Sequence, residues 1–204
     1  EILDTTIKQL GLPVFVKPPN LGSSVGISKA HNKAELRDAI ELALKYDRKV
    51  LIEKSVENAR EIEVSVLGNE NPRASVAGEI LPSNEFYDYD AKYVDGASGL
   101  KIPAELPDEL HQQIRDMAVK TVLAVEVEGM ARVDFLVDPK TNEYYLNELN
   151  TIPGFTSISM YPKLWGATGL EYSDLLDELI QLAIDRHEQK QKLDVSYKPK
   201  NDWY

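Results

Sequence analysis

The stretch EYYLNELNTIPGF, residues 143–155, begins as a β-strand and then departs from the usual strand pattern. Aromatic and β-branched residues favour strands, whereas Asn and Glu are depleted in them. Glu148 and Asn150 nevertheless stand two positions apart at the end of the strand, just before Pro153 and Gly154. Because side chains alternate between the two faces of a strand, these two polar side chains share one face. The pattern therefore predicts a polar site on this strand.

A second strand, ARVDFLVD at residues 131–138, places Arg132 and Asp134 on the face opposite to its apolar side chains. If the two strands pair antiparallel so that partner numbers add to about 282, Asp134 lies opposite Glu148 and Arg132 opposite Asn150, with Cβ atoms about 4.5–5.5 Å apart. Two carboxylates that close repel each other unless a cation bridges them, and this set of oxygen ligands suits Mg²⁺. The alternative is a solvated hairpin face with an Arg–Glu ion pair.

The segment NLGSSVG, residues 20–26, lies between two predicted strands and can direct backbone N–H groups and the hydroxyls of Ser23 and Ser24 toward an anion. It is not the Walker pattern, which requires Gly-Lys-Ser/Thr at the start of a helix. Lys17 precedes it at the end of an apolar strand, where it could also be a solvent-facing strand end. Lysine, glycine-rich loop and carboxylate hairpin together indicate a Mg-nucleotide site.

Composition excludes several other classes of function. The 204 residues are 43% hydrophobic and 28% charged, which suits one domain of two lobes or one domain with an appendage. The net charge of −11 argues against general binding to nucleic acids or anionic membranes. The absence of cysteine and of a long apolar run predicts a cytoplasmic protein without membrane contact. His31, His111 and His187 are isolated in sequence and are predicted to be surface residues.

Periodicity predicts a series of helices and strands. In chain order they are a helix at 1–10, a strand, loop and strand at 12–28, a helix at 31–49, a strand at 50–54, a hairpin at 60–80, a long loop at 82–103, a helix at 107–127, the hairpin 131–150, a helix at 173–188 and a tail without periodicity. In the second helix, Leu36, Ile40, Ala43 and Leu44 are predicted to share one face. Asn32 and Glu35 predict a capping box at its start.

Five motifs, in this order and spacing, resemble D-alanine–D-alanine ligases of the ATP-grasp superfamily. They are VFVKPPNLGSSVGIS at 14–28, VLIEK with REIEVSVLGN at 50–69, FYDYDAKY at 86–93, ARVDFLVD at 131–138 and NELNTIPGFTSISMYP at 147–162. The resemblance covers roughly residues 1–185. It implies an α+β ATP-grasp fold, an antiparallel sheet with flanking helices plus a truncated smaller lobe. The implied domains are a truncated central lobe at 1–56, a C-terminal lobe at 57–188 and a tail at 189–204.

The resemblance also implies residues that bind ATP and two Mg²⁺ ions, with Mn²⁺ as a possible substitute. Lys17 resembles the lysine on the α- and β-phosphates, and Lys92 the lysine that reaches the γ-phosphate. The remaining implied positions are the phosphate-loop residues Ser23 and Ser24, the adenine segment with Glu53, Lys54 and Val56, the ribose-binding Glu61, and the metal ligands Asp134, Glu148 and Asn150.

For the amino-acid substrates, the resemblance implies an oxyanion site and a carboxylate site. Arg132 and the backbone N–H of Gly154 resemble the oxyanion donors. Ser159 and Met160 fall where the family binds the carboxylate of the second D-alanine. Tyr93 resembles the tyrosine that hydrogen-bonds Ser23 and closes a loop over the site, which favours D-alanine over D-lactate or D-serine as the second substrate.

The implied reaction is ATP-dependent ligation of two D-alanines through an acyl phosphate, for peptidoglycan precursors. Only 16 residues precede Lys17, so the family's N-terminal domain and its glutamate for the first D-alanine are expected to be missing, and activity of this chain alone is in doubt. The alternatives are a non-catalytic Mg-ATP-binding fragment or another ATP-grasp carboxylate–amine ligase. The family resemblance also implies a homodimer for the full-length enzyme.

Overall fold

The computed structural model describes residues 2–22, 24–81, 99–156 and 158–196 of the chain. Its helices are α1 (Ile2–Leu10), α2 (Lys33–Ala43), α3 (Asp108–Ala124), α4 (Met160–Ala167) and α5 (Tyr172–Gln191). Its strands are β1 (Val14–Lys17), β2 (Ser28–Ala30), β3 (Leu51–Lys54), β4 (Arg60–Gly68), β5 (Arg73–Leu81), β6 (Gly99–Lys101), β7 (Gly129–Val137) and β8 (Tyr144–Asn150). The strands form a three-stranded sheet of order β2-β1-β3 and a five-stranded sheet of order β6-β5-β4-β7-β8.

Internal contacts divide the chain into two compact units. The first comprises Glu1–Arg60, Ile80–Leu100 and Val137–Glu143, and the second comprises Glu61–Glu79, Lys101–Leu136 and Tyr144–Tyr204.

The three-stranded sheet of the first unit has one apolar and one polar face. On β1, Val14 and Val16 are fully buried and pack with Leu36 of α2. In the antiparallel register, Phe15 pairs with Lys29 on one side and with Glu53 on the other. Because directly paired residues share a face, the face away from the helices carries Phe15 together with the charged side chains. Those charged side chains are Lys17, Lys29 and Glu53.

Helix α2 begins at the predicted cap. The Asn32 side chain accepts hydrogen bonds from the N–H groups of Ala34 and Glu35, each at 3.0 Å. Glu35 reaches back to accept the N–H of His31 at 2.7 Å, one residue earlier than the usual capping box. The prediction that Leu44 belongs to the buried face is wrong, because the helix ends at Ala43 and the Leu44 side chain is 52% exposed.

The second unit packs helices α4 and α5 against β4. Leu67 clusters with Tyr161, Trp165 and Leu175, all of them buried. The Tyr161 hydroxyl donates to the carbonyl of Val66 at 3.0 Å, and burial raises the pKa of this tyrosine. These contacts attach both helices to the central strand of the five-stranded sheet.

Besides α2, which ends at Ala43 and not at residue 49, other predicted elements differ from the structure. Helix α4 was not predicted, and Pro162 falls inside it. A proline in the first turn costs no hydrogen bond, because the first N–H groups of a helix have no intrahelical partner. The predicted loop at 82–103 contains strand β6, and residues 82–98 lie outside the described part. Helix α5 runs to Gln191, three residues into the predicted tail.

Helix α3 is attached to β5 by two side chains. Arg115 donates to the carbonyls of Ser75 at 2.9 Å and Ala74 at 3.0 Å. The Nε2 atom of His111 accepts the N–H of Ala77 at 3.1 Å. His111 is therefore half-buried and structural, which corrects its prediction as a surface residue. Within the described part of the chain, no helix has the length and apolarity needed to cross a membrane.

Removing the cap of α2 should weaken the first unit. We expect Asn32→Ala to lower the free energy of unfolding by about 1 kcal/mol, because two N–H groups lose their acceptor. Urea unfolding of this variant beside Asn32→Asp, which keeps an acceptor, measures the effect. Equal midpoints for the Ala and Asp variants would contradict it.

Acid should weaken the second unit through His111. Burial disfavours its charged form and Arg115 repels it, so the pKa of His111 lies below its ordinary value. The unfolded chain then takes up the proton first, and stability falls as the pH drops from about 6.5 toward the folded pKa.

Unfolding midpoints measured across this pH range check the effect. His111→Gln should flatten the pH dependence, and the exposed His187→Gln should keep it. A pH dependence that survives in His111→Gln would assign the acid sensitivity to other groups.

Candidate active site

The glycine-rich loop between β1 and β2 is fixed to the segment that follows α2. Asn20 bonds the Asp47 carboxylate through its backbone N–H at 3.1 Å and its side-chain amide at 2.6 Å. Gly26 has a φ of +75°, and a Cβ atom there would come within 2.8 Å of the Tyr46 ring. Both its backbone angle and its surroundings therefore require glycine at this position. Ser24 also has a positive φ, 61°.

Lys17 and Glu53 meet on the polar face of the three-stranded sheet. Their Nζ and Oε2 atoms are 2.5 Å apart, and the Lys17 side chain is 19% exposed. Strand pairing explains this contact, since Glu53 pairs with Phe15 and Lys17 lies two residues further along the same face. The structure thus joins the predicted phosphate lysine to the predicted adenine-binding glutamate by an ion pair.

The other predicted nucleotide residues lie near the end of β3 and the start of β4. Lys54 ends β3 and is exposed, and Val56 follows it, half-buried. The intervening Ser55 donates its N–H to the carbonyl of Pro13 at 3.1 Å, which joins this segment to the start of β1. Glu61 is half-buried on β4. Ser23, Lys92 and Tyr93 lie outside the described residues.

Arg132 on β7 is bound to two carboxylates of the second unit. Its Nε and Nη2 atoms donate to Oδ1 and Oδ2 of Asp134, both at 2.8 Å, a bidentate pair on one strand. Its Nε atom also lies 3.1 Å from Oε2 of Glu63 on β4. Burial opposes the charge, but the hydrogen bonds to Asp134 and the charges of Asp134, Glu63 and Glu148 raise the pKa of Arg132 above its ordinary value. The guanidinium is therefore permanently charged.

The predicted metal ligands come together on β7 and β8. The side-chain nitrogen of Asn150 lies 3.0 Å from Oδ2 of Asp134 and 3.5 Å from Oε1 of Glu148. The alternation of the two strands correctly predicted that these side chains share a face. The specific pairing of Asp134 with Glu148 and of Arg132 with Asn150 stays a prediction.

This cluster fits a hard divalent cation. Three carboxylates, those of Glu63, Asp134 and Glu148, surround one guanidinium, which gives three negative charges minus one positive charge, a local charge of −2. The Asn150 amide stands between two of them, and a half-turn of the amide would present its oxygen instead of its nitrogen. Among the described residues no three His, Cys, Asp or Glu side chains group as a metal site, so a cation held here would need the Asn150 amide oxygen beside the carboxylates.

The turn before α4 is organised around the hydroxyl of Ser159. This hydroxyl accepts the N–H of Thr156 at 3.0 Å and contacts the Thr156 hydroxyl at 2.9 Å. A Cβ atom on Gly154 would lie 2.9 Å from the same oxygen, so glycine is needed for the close approach. Met160 begins α4 with its side chain buried. The predicted substrate residues Gly154, Ser159 and Met160 thus belong to one compact turn at a helix N-terminus.

Glu63 is a residue of the Arg132 cluster that sequence analysis missed. Two glutamates stand in REIEV, and the resemblance drew attention only to Glu61. The sequence offered only that Glu63 stands between Ile62 and Val64 in a predicted strand, and the structure buries all three, with Glu63 7% exposed. A charged residue in so buried a position needs a charged partner.

Comparison with known proteins agrees with these features. The family model described as D-ala D-ala ligase C-terminus matches residues 1–181. A D-alanine–D-alanine ligase of Thermoanaerobacter sp. (strain X514) is 62% identical over 191 residues, which are 93% of this chain and 53% of the relative. The enzyme of the same name from Clostridium acetobutylicum is 59% identical over 187 residues, 92% of this chain and 54% of the relative.

Solved structures give the same result. The D-alanine-D-alanine ligase from Coxiella burnetii has a TM-score of 0.78 at 38% identity, over 94% of this chain and 50% of the solved one. The VanG D-Ala:D-Ser ligase from Enterococcus faecalis has a TM-score of 0.79 at 39% identity, over 88% of this chain and 52% of the solved one. The predicted α+β ATP-grasp fold is confirmed, and the chain spans about half the length of the curated relatives it matches.

The matching family model covers nearly the whole described chain, and the motifs that resemble the family lie in the loop, the hairpin and the turn. The chain therefore belongs to the D-alanine–D-alanine ligase C-terminal family.

Proposed function

We propose that this chain provides the ATP-, Mg²⁺- and second-substrate-binding part of an enzyme that ligates two D-alanines for peptidoglycan precursors. The observation that carries the proposal is the β7–β8 cluster, in which Arg132 is held by Asp134 beside Glu148 and Asn150, and to which Glu63 of β4 adds the third carboxylate, for a local charge of −2. The proposed lobes are residues 1–56 for the nucleotide and 57–188 for metal and substrate, followed by a tail at 189–204.

The first lobe would bind the nucleotide. The loop with Ser23 and Ser24 would cradle the phosphates beside Lys17, while Glu53 would accept from the adenine amine. Lys17 and Glu53 are already paired, so binding would exchange this ion pair for contacts with phosphate and base. Further nucleotide contacts would come from Lys54, Val56, Glu61 and Lys92.

Asp134, Glu148 and Asn150 would hold Mg²⁺, with nucleotide phosphates as further ligands, as Mg²⁺ usually binds in proteins. A local charge of −2 balances one divalent ion, so the second predicted ion would depend on phosphate oxygens. Bound there, Mg²⁺ or Mn²⁺ would neutralise phosphate charge during phosphoryl transfer.

Arg132 would act at the acyl carbon. The carboxylates use its Nε and Nη2 atoms, and no described residue accepts from Nη1, which is left for an oxyanion. The γ-phosphoryl group passes from ATP to the carboxylate of the first D-alanine. The amine of the second D-alanine then attacks, the amide C–N bond forms, and the bond from the acyl carbon to the phosphate oxygen breaks. Arg132 and the N–H of Gly154 would stabilise the tetrahedral oxyanion between these events.

The second D-alanine would be held at the N-terminus of α4. The hydroxyl of Ser159 and the backbone N–H of Met160 would bind its carboxylate, since the first N–H groups of a helix have no intrahelical partner and favour an anion. Tyr93 would close the site through Ser23.

A second candidate acceptor is D-serine. The VanG structure, whose title names a D-Ala:D-Ser ligase, matches this chain as well as a D-alanine-D-alanine ligase does. Backbone similarity therefore does not separate the two acceptors. A separate alternative, not an acceptor, is Mg-ATP binding without turnover, because the chain spans about half the length of its relatives.

Phosphate release by this chain with Mg-ATP and D-alanine tests the proposal, with L-alanine as the control substrate. We expect Glu148→Gln to weaken metal binding by at least the roughly tenfold cost seen when a supporting ligand contact is lost. Glu143→Gln, a glutamate at the turn of the same hairpin, should change little. Release that requires D-alanine and Glu148 supports ligation.

Two other results separate the alternatives. If the chain binds Mg-ATP in a way that depends on Glu148 but releases no phosphate, it acts only as a nucleotide-binding part of the enzyme. Failure to bind Mg-ATP at all overturns the proposal.

Substitution of Tyr93 tests acceptor choice. We expect Tyr93→Phe to reduce the preference for D-alanine over D-lactate or D-serine, because the hydroxyl that would bond Ser23 is removed. Product ratios from mixed acceptors measure this preference. An unchanged ratio would remove Tyr93 from acceptor selection.

A further inference from the structure

Glu63 is a buried charge that no motif explains. It lies on β4 with an exposed fraction of 7%, in a stretch of strand whose neighbours Ile62 and Val64 are fully buried. A buried carboxylate is costly unless a positive charge lies beside it. Its Oε2 atom is 3.1 Å from Nε of Arg132.

Two carboxylates compete for one hydrogen of Arg132. The Nε atom carries a single hydrogen, which Asp134 Oδ1 accepts at 2.8 Å. Glu63 therefore meets the same nitrogen as an ion pair, without receiving that hydrogen. A small rotation of the guanidinium would transfer the hydrogen bond from one carboxylate to the other.

The order of the strands places Glu63 and the predicted ligands of β8 on different sides of β7. β7 carries Arg132 and Asp134, β4 pairs on one side with Glu63, and β8 pairs on the other side with Glu148 and Asn150. A cation held by Asp134, Glu148 and Asn150 would draw Asp134 toward β8 and repel the guanidinium toward β4.

We propose that Glu63 is a positioning residue that takes over the Nε hydrogen of Arg132 when Asp134 turns to a cation. This inference rests on the proposed function of the β7–β8 cluster. Glu63 would then keep Arg132 in place while Asp134 binds the cation. Because Glu63 lies on β4, its contact with Arg132 would be unaffected by the metal ligands on β8.

Hydrogen exchange at the Arg132 Nε–H, followed by side-chain ¹⁵N NMR, tests the inference without substrate or turnover. The signal is assigned by its loss in Arg132→Lys. Asp134→Asn removes the negative charge of Asp134 and so imitates its withdrawal to a metal. We expect the hydrogen to stay protected in Asp134→Asn, because Glu63 accepts it.

The double variant Asp134→Asn/Glu63→Gln should exchange this hydrogen about tenfold faster than Asp134→Asn alone, since a hydrogen bond between charged groups is lost. The matched control is Asp134→Asn/Glu79→Gln. Glu79 is also 7% exposed, lies on β5, and is not among the charges acting on Arg132. This control should exchange like Asp134→Asn.

Two results would overturn the inference. One is loss of protection in Asp134→Asn alone to the level of the double variant, and the other is protection that persists in the double variant. If the double variant does not fold, Glu63→Gln measured with Mg²⁺ decides, because its Nε–H should then exchange faster than in the wild type and in Glu79→Gln under the same conditions. Equal exchange in all three would exclude the positioning role.

Adding Mg²⁺ separates this inference from the proposed function. In the wild type the Nε–H should stay protected when Mg²⁺ binds, and in Glu63→Gln it should lose protection. If Mg²⁺ changes the exchange of the Nε–H in neither protein, the metal site of the proposed function is contradicted. The metal-free variants still decide the role of Glu63.

Discussion

The charged cluster around Arg132 is the constraint on which the second unit depends. A guanidinium that is mostly removed from water needs carboxylates on fixed backbone, and three adjacent strands supply them. β7 carries the arginine and Asp134, β4 contributes Glu63, and β8 contributes Glu148. Since β4 and β7 also carry buried apolar side chains, such as Val64 and Val133, packing of the core fixes the spacing of Glu63 from Arg132 and Asp134. The same packing that stabilises the sheet therefore sets the geometry of the site.

The first unit follows the same rule on a smaller scale. Its three-stranded sheet buries Val14 and Val16 against the helices and leaves Lys17 and Glu53 together on the other face. Alternation along a strand thus puts the apolar side chains that pack the core on one face and the charged side chains on the other. A substitution on the apolar face therefore acts on the core, whereas one on the polar face acts on the Lys17–Glu53 ion pair.

Much of this arrangement could be predicted because it depends on local periodicity. The hairpin β7–β8, the cap at Asn32 and the shared face of Asp134 and Asn150 follow from strand alternation and side-chain chemistry. Contacts between elements distant in sequence could not be predicted in this way. His111 accepts a hydrogen bond from a strand more than thirty residues away, and Glu63 meets an arginine on another strand. Helix α4 was not predicted, and its proline lies in the first turn, where it costs no hydrogen bond.

The attachment of the glycine-rich loop has a mechanical consequence. The loop is held at one end by Asn20 on Asp47 and at the other by the close approach of Gly26 to Tyr46. Asp47 and Tyr46 in turn continue directly from α2, with their N–H groups bonded to the carbonyl of Ala43. The described part of the loop is therefore attached to the end of α2 and does not extend freely from the sheet. We therefore expect displacement of the loop to disturb the end of α2 and the core in which Leu36 and Ala43 are packed.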